Sequence, residues 1–284
     1  MADQAEKLRD MVDKKKKADK THKVIAVTSG KGGVGKTNIV VNMAMLLSGI
    51  GKKVVVFDAD LGLANVDILL GIKTKYSLID VIKSGKKMSE IMIKVNDNLS
   101  IIPAGNGVED IANINEPSFN KVKDELRSVV KDIDILLVDT GAGISRKVTF
   151  FLKSSEDIIV VATPEPTSIA DAYAMIKIMF LNYKKENIKI FVNMAKNENE
   201  AVSVYENINK ICKNFLKKEF KSAGFALYDK KLPLCVREQK AISEIAPDGK
   251  FSVSMKKMIN NIFKENVKIY DNPVKRFFSS IFGG

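Results

Sequence analysis

One histidine, His22, and two cysteines, Cys212 and Cys235, are all that the 284 residues hold of the commonest metal-binding and redox side chains. With its one imidazole in the charged N-terminal region, the chain gives no support to histidine catalysis or to a histidine-built metal site. The cysteines are 23 positions apart without a CxxC, so they offer no zinc or iron–sulfur framework within one chain. They fit buried free thiols in a reducing compartment. No run approaches about 18 consecutive apolar residues, so no membrane-spanning helix is expected. The opening stretch MADQAEKLRDMVDKKKKADK is charged and has no apolar centre, which argues against a signal peptide and for the cytoplasm.

Charge and apolar residues are plentiful. At 45% apolar and 28% charged, the chain has the composition of a soluble globular protein with a sizeable core, in one large α/β domain or two small ones. The formal charge of +12 is spread broadly: residues 210–240 carry nine Lys/Arg against three acids, and residues 250–284 seven against two. Such a surface suits nucleic acid, membrane lipid, nucleotide phosphate or plain solubility, and by itself selects none of them.

Short apolar runs alternate with helical patterns. Strands are expected at Val24–Thr28, Lys53–Asp58, Leu99–Pro103, Ile133–Asp139, Ile158–Thr163, Ile188–Asn193 and Gly224–Leu227. Several are apolar throughout, as strands covered on both faces are. Helices are expected at Lys36–Gly49, Ser77–Ser84, Phe119–Lys131, Ser145–Ser154, Ser168–Lys185 and Ala201–Glu219. This alternation predicts an α/β fold, a doubly wound and mainly parallel sheet flanked by helices, with function at the carboxyl ends of the strands. Residues 1–23 have little to bury and read as an N-terminal segment and linker to a domain over 24–270. Asp271-Asn272-Pro273 then announces a separate helix over 271–284.

The segment TSGKGGVGKT follows the first apolar run. It contains Gly30-x-x-x-x-Gly35-Lys36-Thr37, a phosphate-loop spacing in the required strand–loop–helix context. Its glycines allow successive N–H groups over residues 30–38 to turn toward a phosphate chain, and the following helix adds its positive end. Lys36 would meet β/γ oxygens, and the Thr37 hydroxyl would bind Mg²⁺. Asp58 and Asp60, one residue apart at the next strand's exit, can both face a site where the backbone turns. Asp139 ends the apolar strand IDILLVD.

The extra lysine in KGGVGKT resembles the deviant Walker A box of the MinD/ParA family of dimerising ATPases, and the resemblance extends over roughly residues 24–245. It implies a P-loop NTPase fold, ATP/ADP and Mg²⁺ as cofactors, and slow, Mg²⁺-dependent hydrolysis coupled to an ATP-dependent homodimer. Lys31 would reach across that dimer to the partner copy's nucleotide, much as an arginine finger does. Gly30, Gly32, Gly33, Val34, Gly35, Lys36, Thr37 and Asn38 would hold the phosphates. Asp60 would orient the attacking water, and Asp58 would support the magnesium region. Asp139 would hold the ion through water, with Gly141 and Gly143 as the mobile part of a second switch. The family often has proline where Gly141 stands, which implies a looser switch. By the same resemblance Asn193 would read the adenine edge, Glu165 in TPEPTS would lie at the nucleotide and dimer contact, and Leu232–Ala241 would pack near the base.

The two ends point to a branch of the family. DQAEKLR at residues 3–9 is similar to the DQAxxLR motif of flagellar-number regulators of the FlhG/FleN/YlxH branch, where it stimulates the SRP-type GTPase FlhF. Asp3, Gln4, Ala5, Leu8 and Arg9 carry that likeness. Gln4 would orient a catalytic water, while Leu8 and Arg9 would dock. At the other end Val274, Phe277, Phe278, Ile281 and Phe282 form one helical stripe beside Lys275 and Arg276, the pattern of an amphipathic helix meeting anionic membrane lipids. The expected role is therefore a switch at the inner face of the cell membrane, read by FlhF and by flagellar basal-body and C-ring proteins. A DNA-partitioning ATPase with a basic nucleic-acid surface and a MinD-type division-site regulator stand as alternatives. The aromatic stripe is not needed by the first, nor the DQAEKLR extension by the second.

Overall fold

The structure, a computed structural model, describes residues 22–60, 66–103, 105, 125, 129, 132–263, 274, 277, 280 and 281. Among these, eight strands form one sheet: β1 (Lys23–Ser29), β2 (Val54–Ala59), β3 (Ile93–Asn96), β4 (Leu99–Pro103), β5 (Ile135–Ala142), β6 (Asp157–Ala162), β7 (Ile188–Ala195) and β8 (Lys221–Leu227). Their order is β3-β4-β2-β5-β1-β6-β7-β8. Every neighbouring pair is parallel except β3 with β4. The helices are α1 (Lys36–Gly49), α2 (Val66–Leu69), α3 (Leu78–Ser84), α4 (Met88–Ile91), α5 (Arg146–Ser154), α6 (Pro166–Tyr183), α7 (Glu198–Leu216), α8 (Leu232–Arg237), α9 (Ile242–Ile245) and α10 (Lys250–Phe263).

Strand alternation divides the interior into two layers. Val24 and Ala26 of β1, Phe57 of β2 and Leu136 and Val138 of β5 join one core cluster. Their chain neighbours Ile25, Val27, Val56, Ile135 and Leu137 join the other. With both faces buried, these strands carry continuous apolar runs, and that continuity made them legible in the sequence. Helices α3 to α7 contribute to the first cluster, and α1, α2, α8, α9 and α10 to the second. The crossing point lies at β1: the chain leaves it for β2 on one side, and later crosses from β5 to β6 on the other. Such a point opens a crevice beyond the strands' carboxyl ends.

The expected doubly wound sheet is present, with an edge strand, the long helix α10 and the short helices α2, α4, α8 and α9 added. β3 is a short antiparallel edge strand whose residues alternate between half-buried and exposed. Its sequence, IKVN, has no continuous apolar run, because only one of its faces meets the core. α10 buries Phe251, Met255, Met258, Ile259 and Ile262, offsets that trace one helical face. Boundaries also move. α6 begins at Pro166 in its first turn, and α7 begins at Glu198 because the Asn197 side chain accepts a hydrogen bond from the Glu200 N–H. The helix expected at Phe119–Lys131 lies outside the described residues apart from Glu125 and Val129.

Of the C-terminal stripe, Val274, Phe277 and Ile281 are described; they are 0%, 0% and 4% exposed, within the first core cluster. Phe57 of β2 meets Phe277 edge-on at 6.2 Å and 75°, and Phe151 of α5 at 5.5 Å and 63°. An apolar stripe with no bilayer at hand gains most by covering the nearest apolar surface, here the sheet face around Phe57. Phe278 and Phe282 lie outside the described residues, as do residues 1–21 with the DQAEKLR motif.

Candidate nucleotide site

The phosphate loop leaves β1 at Ser29 and enters α1 at Lys36. Gly35 is left-handed, with φ 87°, a conformation that costs little only for glycine. A Cβ there would also stand 2.6 Å from the Asn193 amide nitrogen. That amide, at the end of β7, donates to the Val34 carbonyl at 2.8 Å. Asn193 therefore braces the loop from below, and its remaining N–H and its carbonyl are what it can offer to a base. Lys36 is 8% exposed, and its ammonium donates to Ser29 Oγ at 3.0 Å. Ser29 Oγ in turn donates to the Lys31 carbonyl at 2.6 Å, closing the loop on itself. Burial lowers the Lys36 pKa, while the charges of Asp139 and Asp60 act the other way.

The carboxylates arrive on adjacent strands. Asp58 of β2 is the register partner of Asp139 of β5, which places two acids side by side at the crevice floor. Asp58 Oδ1 accepts from the Asp60 N–H at 3.2 Å, and Oδ2 from the Val66 N–H at 3.3 Å. Burial raises Asp58 to about 6, against those two donors. Asp139 is fully buried and is raised to about 8, first by burial and then by the charge of Asp58. The Thr37 hydroxyl and Lys36 oppose that rise, but neither Asp139 oxygen has a well-formed hydrogen bond. A buried carboxylate with both oxygens unpartnered, beside a phosphate loop and a threonine hydroxyl, fits the shell of a magnesium ion. Thr37 would hold the ion directly and Asp139 through water. The ion would supply positive charge to the phosphate oxygens.

This strain has a pH signature. Because the folded-state pKa of Asp139 lies above its ordinary 3.8, the folded chain keeps a proton that the unfolded chain has released. The resulting loss of stability is absent below about pH 4, grows as pH rises and is complete above about pH 8. The Tm of nucleotide-free protein should therefore fall between pH 6 and 8. Asp139→Asn should remove much of that slope and raise Tm at pH 8 by about 3 °C or more. With Mg²⁺ and nucleotide added, the wild type should regain the advantage. A variant with unchanged slope would show that this carboxyl is not the strained group.

Lys31 is half-exposed where Lys36 is buried. Its side chain is 41% exposed and forms an ion pair with Glu165, itself 62% exposed at the N-cap of α6. The Thr167 hydroxyl lies 3.5 Å from the same ammonium. Asp60 is half-buried, and a Cβ on Gly141 would come within 3.2 Å of its Oδ1. Thus the loop, Asp58, Asp60, Asp139, Gly141, Glu165 and Asn193 all lie at the carboxyl ends of strands around the crevice. Within Leu232–Ala241, Cys235 and Ala241 are buried in the second core cluster and Gln239 lies against Gly71, while Leu234 is exposed. The sequence reading missed Ser29, which anchors Lys36. It also missed Thr140, whose hydroxyl donates to Val27 O at 3.1 Å and so ties β5 to β1 just below the loop. Ser29 had a signal in its place inside TSGKGG; Thr140 had only its position after Asp139.

A phosphate loop at the crossing point of a parallel sheet, with aspartates toward the carboxyl ends of two neighbouring strands, makes this a P-loop nucleoside triphosphatase. The model of a family described as "ParA: NUBPL iron-transfer P-loop NTPase" matches residues 20–263. The chain belongs to this MinD/ParA family of ATP-binding P-loop ATPases, in the branch of flagellar regulators. It is 34% identical over 239 residues to the antiactivator FleN of Pseudomonas aeruginosa, covering 84% of this chain and 85% of that one. It is 36% identical over 265 residues to the flagellum site-determining protein YlxH of Helicobacter pylori, covering 91% and 89%. Among solved structures, the MinC:MinD cell division complex of Aquifex aeolicus superposes with a TM-score of 0.70 at 27% identity, over 87% of this chain and 98% of that one. Among the described residues no three His, Cys, Asp or Glu side chains gather in a metal-binding cluster, and Cys212 and Cys235 belong to opposite faces of the sheet.

Proposed function

We propose that this chain is an ATP-driven dimerising switch that regulates flagellar number or placement. Its likeness to FleN and YlxH supports the biological setting. The observation that carries the mechanism is Lys31: a second loop lysine, directed outward, whose pairing with an exposed glutamate leaves it able to exchange partners. Exposed Ile68, Ile144 and Leu234 lie on segments that follow β2, β5 and β8, at the same end of the sheet. They provide apolar contact for a second copy facing the first.

In the closed pair, backbone N–H groups of the loop and Lys36 hold the phosphates. Asp60 orients water in line with the γ-phosphorus, and the partner copy's Lys31 leaves Glu165 to neutralise charge on the transferring group. Loss of the γ-phosphate removes that cation's target, and the pair opens. The termini connect this cycle to partners. Residues 3–9 would stimulate an SRP-type GTPase, FlhF. The C-terminal stripe would leave its place against Phe57 to enter a membrane interface rich in anionic lipid. One such short helix binds weakly, but two held in a dimer gain about 10²–10⁴ in apparent affinity. Basal-body proteins would read the membrane-bound pair.

Light scattering tests the central step. With saturating Mg²⁺ and a non-hydrolysable ATP analogue, the wild type should give twice its 31.4 kDa mass. Lys31→Ala should bind the analogue yet remain single. Solitary wild-type protomers under those conditions would leave the switch without a second state.

A further inference from the structure

We propose that Asp58 is a positioning residue for hydrolysis: its carboxylate pins the backbone at Asp60 and at Val66, and so holds the Asp60 side chain against Gly141. This deepens the ATPase reading and rests on it.

The two register-matched aspartates at the crevice floor are committed to different tasks. Asp139, fully buried, has neither oxygen in a well-formed hydrogen bond. Asp58, 5% exposed, has each oxygen already used, Oδ1 by the Asp60 N–H and Oδ2 by the Val66 N–H. The first bond spans two residues and fixes the turn by which the chain leaves β2, as an aspartate at a turn start does. The second grips the first residue of α2, eight positions on. Asparagine would keep one of these acceptor oxygens and put an NH₂ donor in place of the other, so it cannot reproduce both bonds in this geometry.

The consequence reaches Asp60 through its backbone. With its N–H held by Asp58, the Asp60 carboxylate lies where a Cβ on Gly141 would stand only 3.2 Å from Oδ1. Asp60 is thus held from two sides, by a hydrogen bond at its backbone and by close packing at its side chain. The glycine at 141 is part of the device, because any side chain there would press on the carboxylate. A group that orients water tolerates little displacement, and a shift of about 1 Å can cost about 100-fold in rate. Fixing Asp60 therefore belongs to catalysis, although Asp58 touches neither water nor phosphate in this role.

The test compares Asp58→Asn, which keeps one acceptor oxygen, with Asp58→Ala, which keeps none. Each is made in the full chain with and without Asp60→Ala. If Asp58 acts through Asp60, kcat should fall about 10-fold for Asn and about 100-fold for Ala, with the KM for Mg²⁺–ATP and the Mg²⁺ requirement within about 3-fold of wild type. Neither substitution should slow the Asp60→Ala protein further, the non-additivity of two residues serving one task. Gly141→Ala, which leaves Asp58 intact, should reproduce the kcat loss and guards against a folding defect in the Asp58 variants. The proposal is overturned if Asn and Ala lose kcat equally while raising the Mg²⁺ requirement, since Asp58 would then act by its charge. It is also overturned if Asp58→Ala and Asp60→Ala lower kcat by independent factors. A wild type that binds ATP without turning it over would remove the ATPase reading as well, an outcome separate from the other two.

Discussion

Asp60→Ala should reduce ATP turnover by about 10²–10⁴-fold, the range lost when a positioned proton-accepting or water-orienting group is removed. Nucleotide binding should be nearly unchanged. The phosphates are held by the loop backbone and Lys36, whereas Asp60 sits across the crevice against Gly141. The variant should therefore accumulate as a dimer with ordinary ATP, because the step that opens the pair is blocked. Single-turnover hydrolysis and light scattering on one preparation would check both halves. Turnover at the wild-type rate would make Asp60 idle and point to a nucleotide-bound scaffold. A loss of ATP binding would show that Asp60 serves the ground state through the charge of Lys36, which it does reach.

The second large effect belongs to the other end of the chain. Phe277 is completely buried, with its ring edge-on to Phe57. Truncating such a phenylalanine typically costs about 3–5 kcal/mol. For a chain of this size Phe277→Ala should lower Tm by about 10 °C in the absence of lipid. A terminal helix that served only a bilayer would leave Tm unmoved. Anionic vesicles should narrow the gap between wild type and variant, because the wild-type stripe would then divide its time between Phe57 and lipid. A normal Tm without lipid would mean that the stripe is undocked in solution. The docking also sets a condition on the switch. Insertion into lipid must offset the apolar burial given up at Phe57, which favours the paired form with two stripes.

Much of this protein was readable before any fold was known, for particular reasons. TSGKGGVGKT names its chemistry because phosphate binding by backbone N–H groups demands glycines at fixed offsets, a local requirement. Strands β1, β2, β5, β6 and β7 were legible because burial on both faces gives each a nearly continuous apolar run. Asp139 and Asn193 were legible as polar residues at or near the ends of such runs. β3 was not, because a one-sided edge strand of four residues leaves no pattern long enough to read. α10 left a pattern, Phe251 to Ile262 along one face, that went unread among seven strong strand signals.

What the sequence alone determined is the set of reacting groups and the sheet that carries them, because both depend on neighbours close along the chain. Only the tertiary structure decided how those groups are employed. The register of β2 on β5 places Asp58 beside Asp139, yet backbone donors at Asp60 and Val66 occupy one carboxylate while the other has no well-formed hydrogen bond. The same holds for the terminal stripe: its period announces an apolar helical face, but which apolar surface it covers depends on residues more than 200 positions away, such as Phe57. Burial is settled by whatever is brought near in three dimensions, and amphipathic spacing alone does not name the partner.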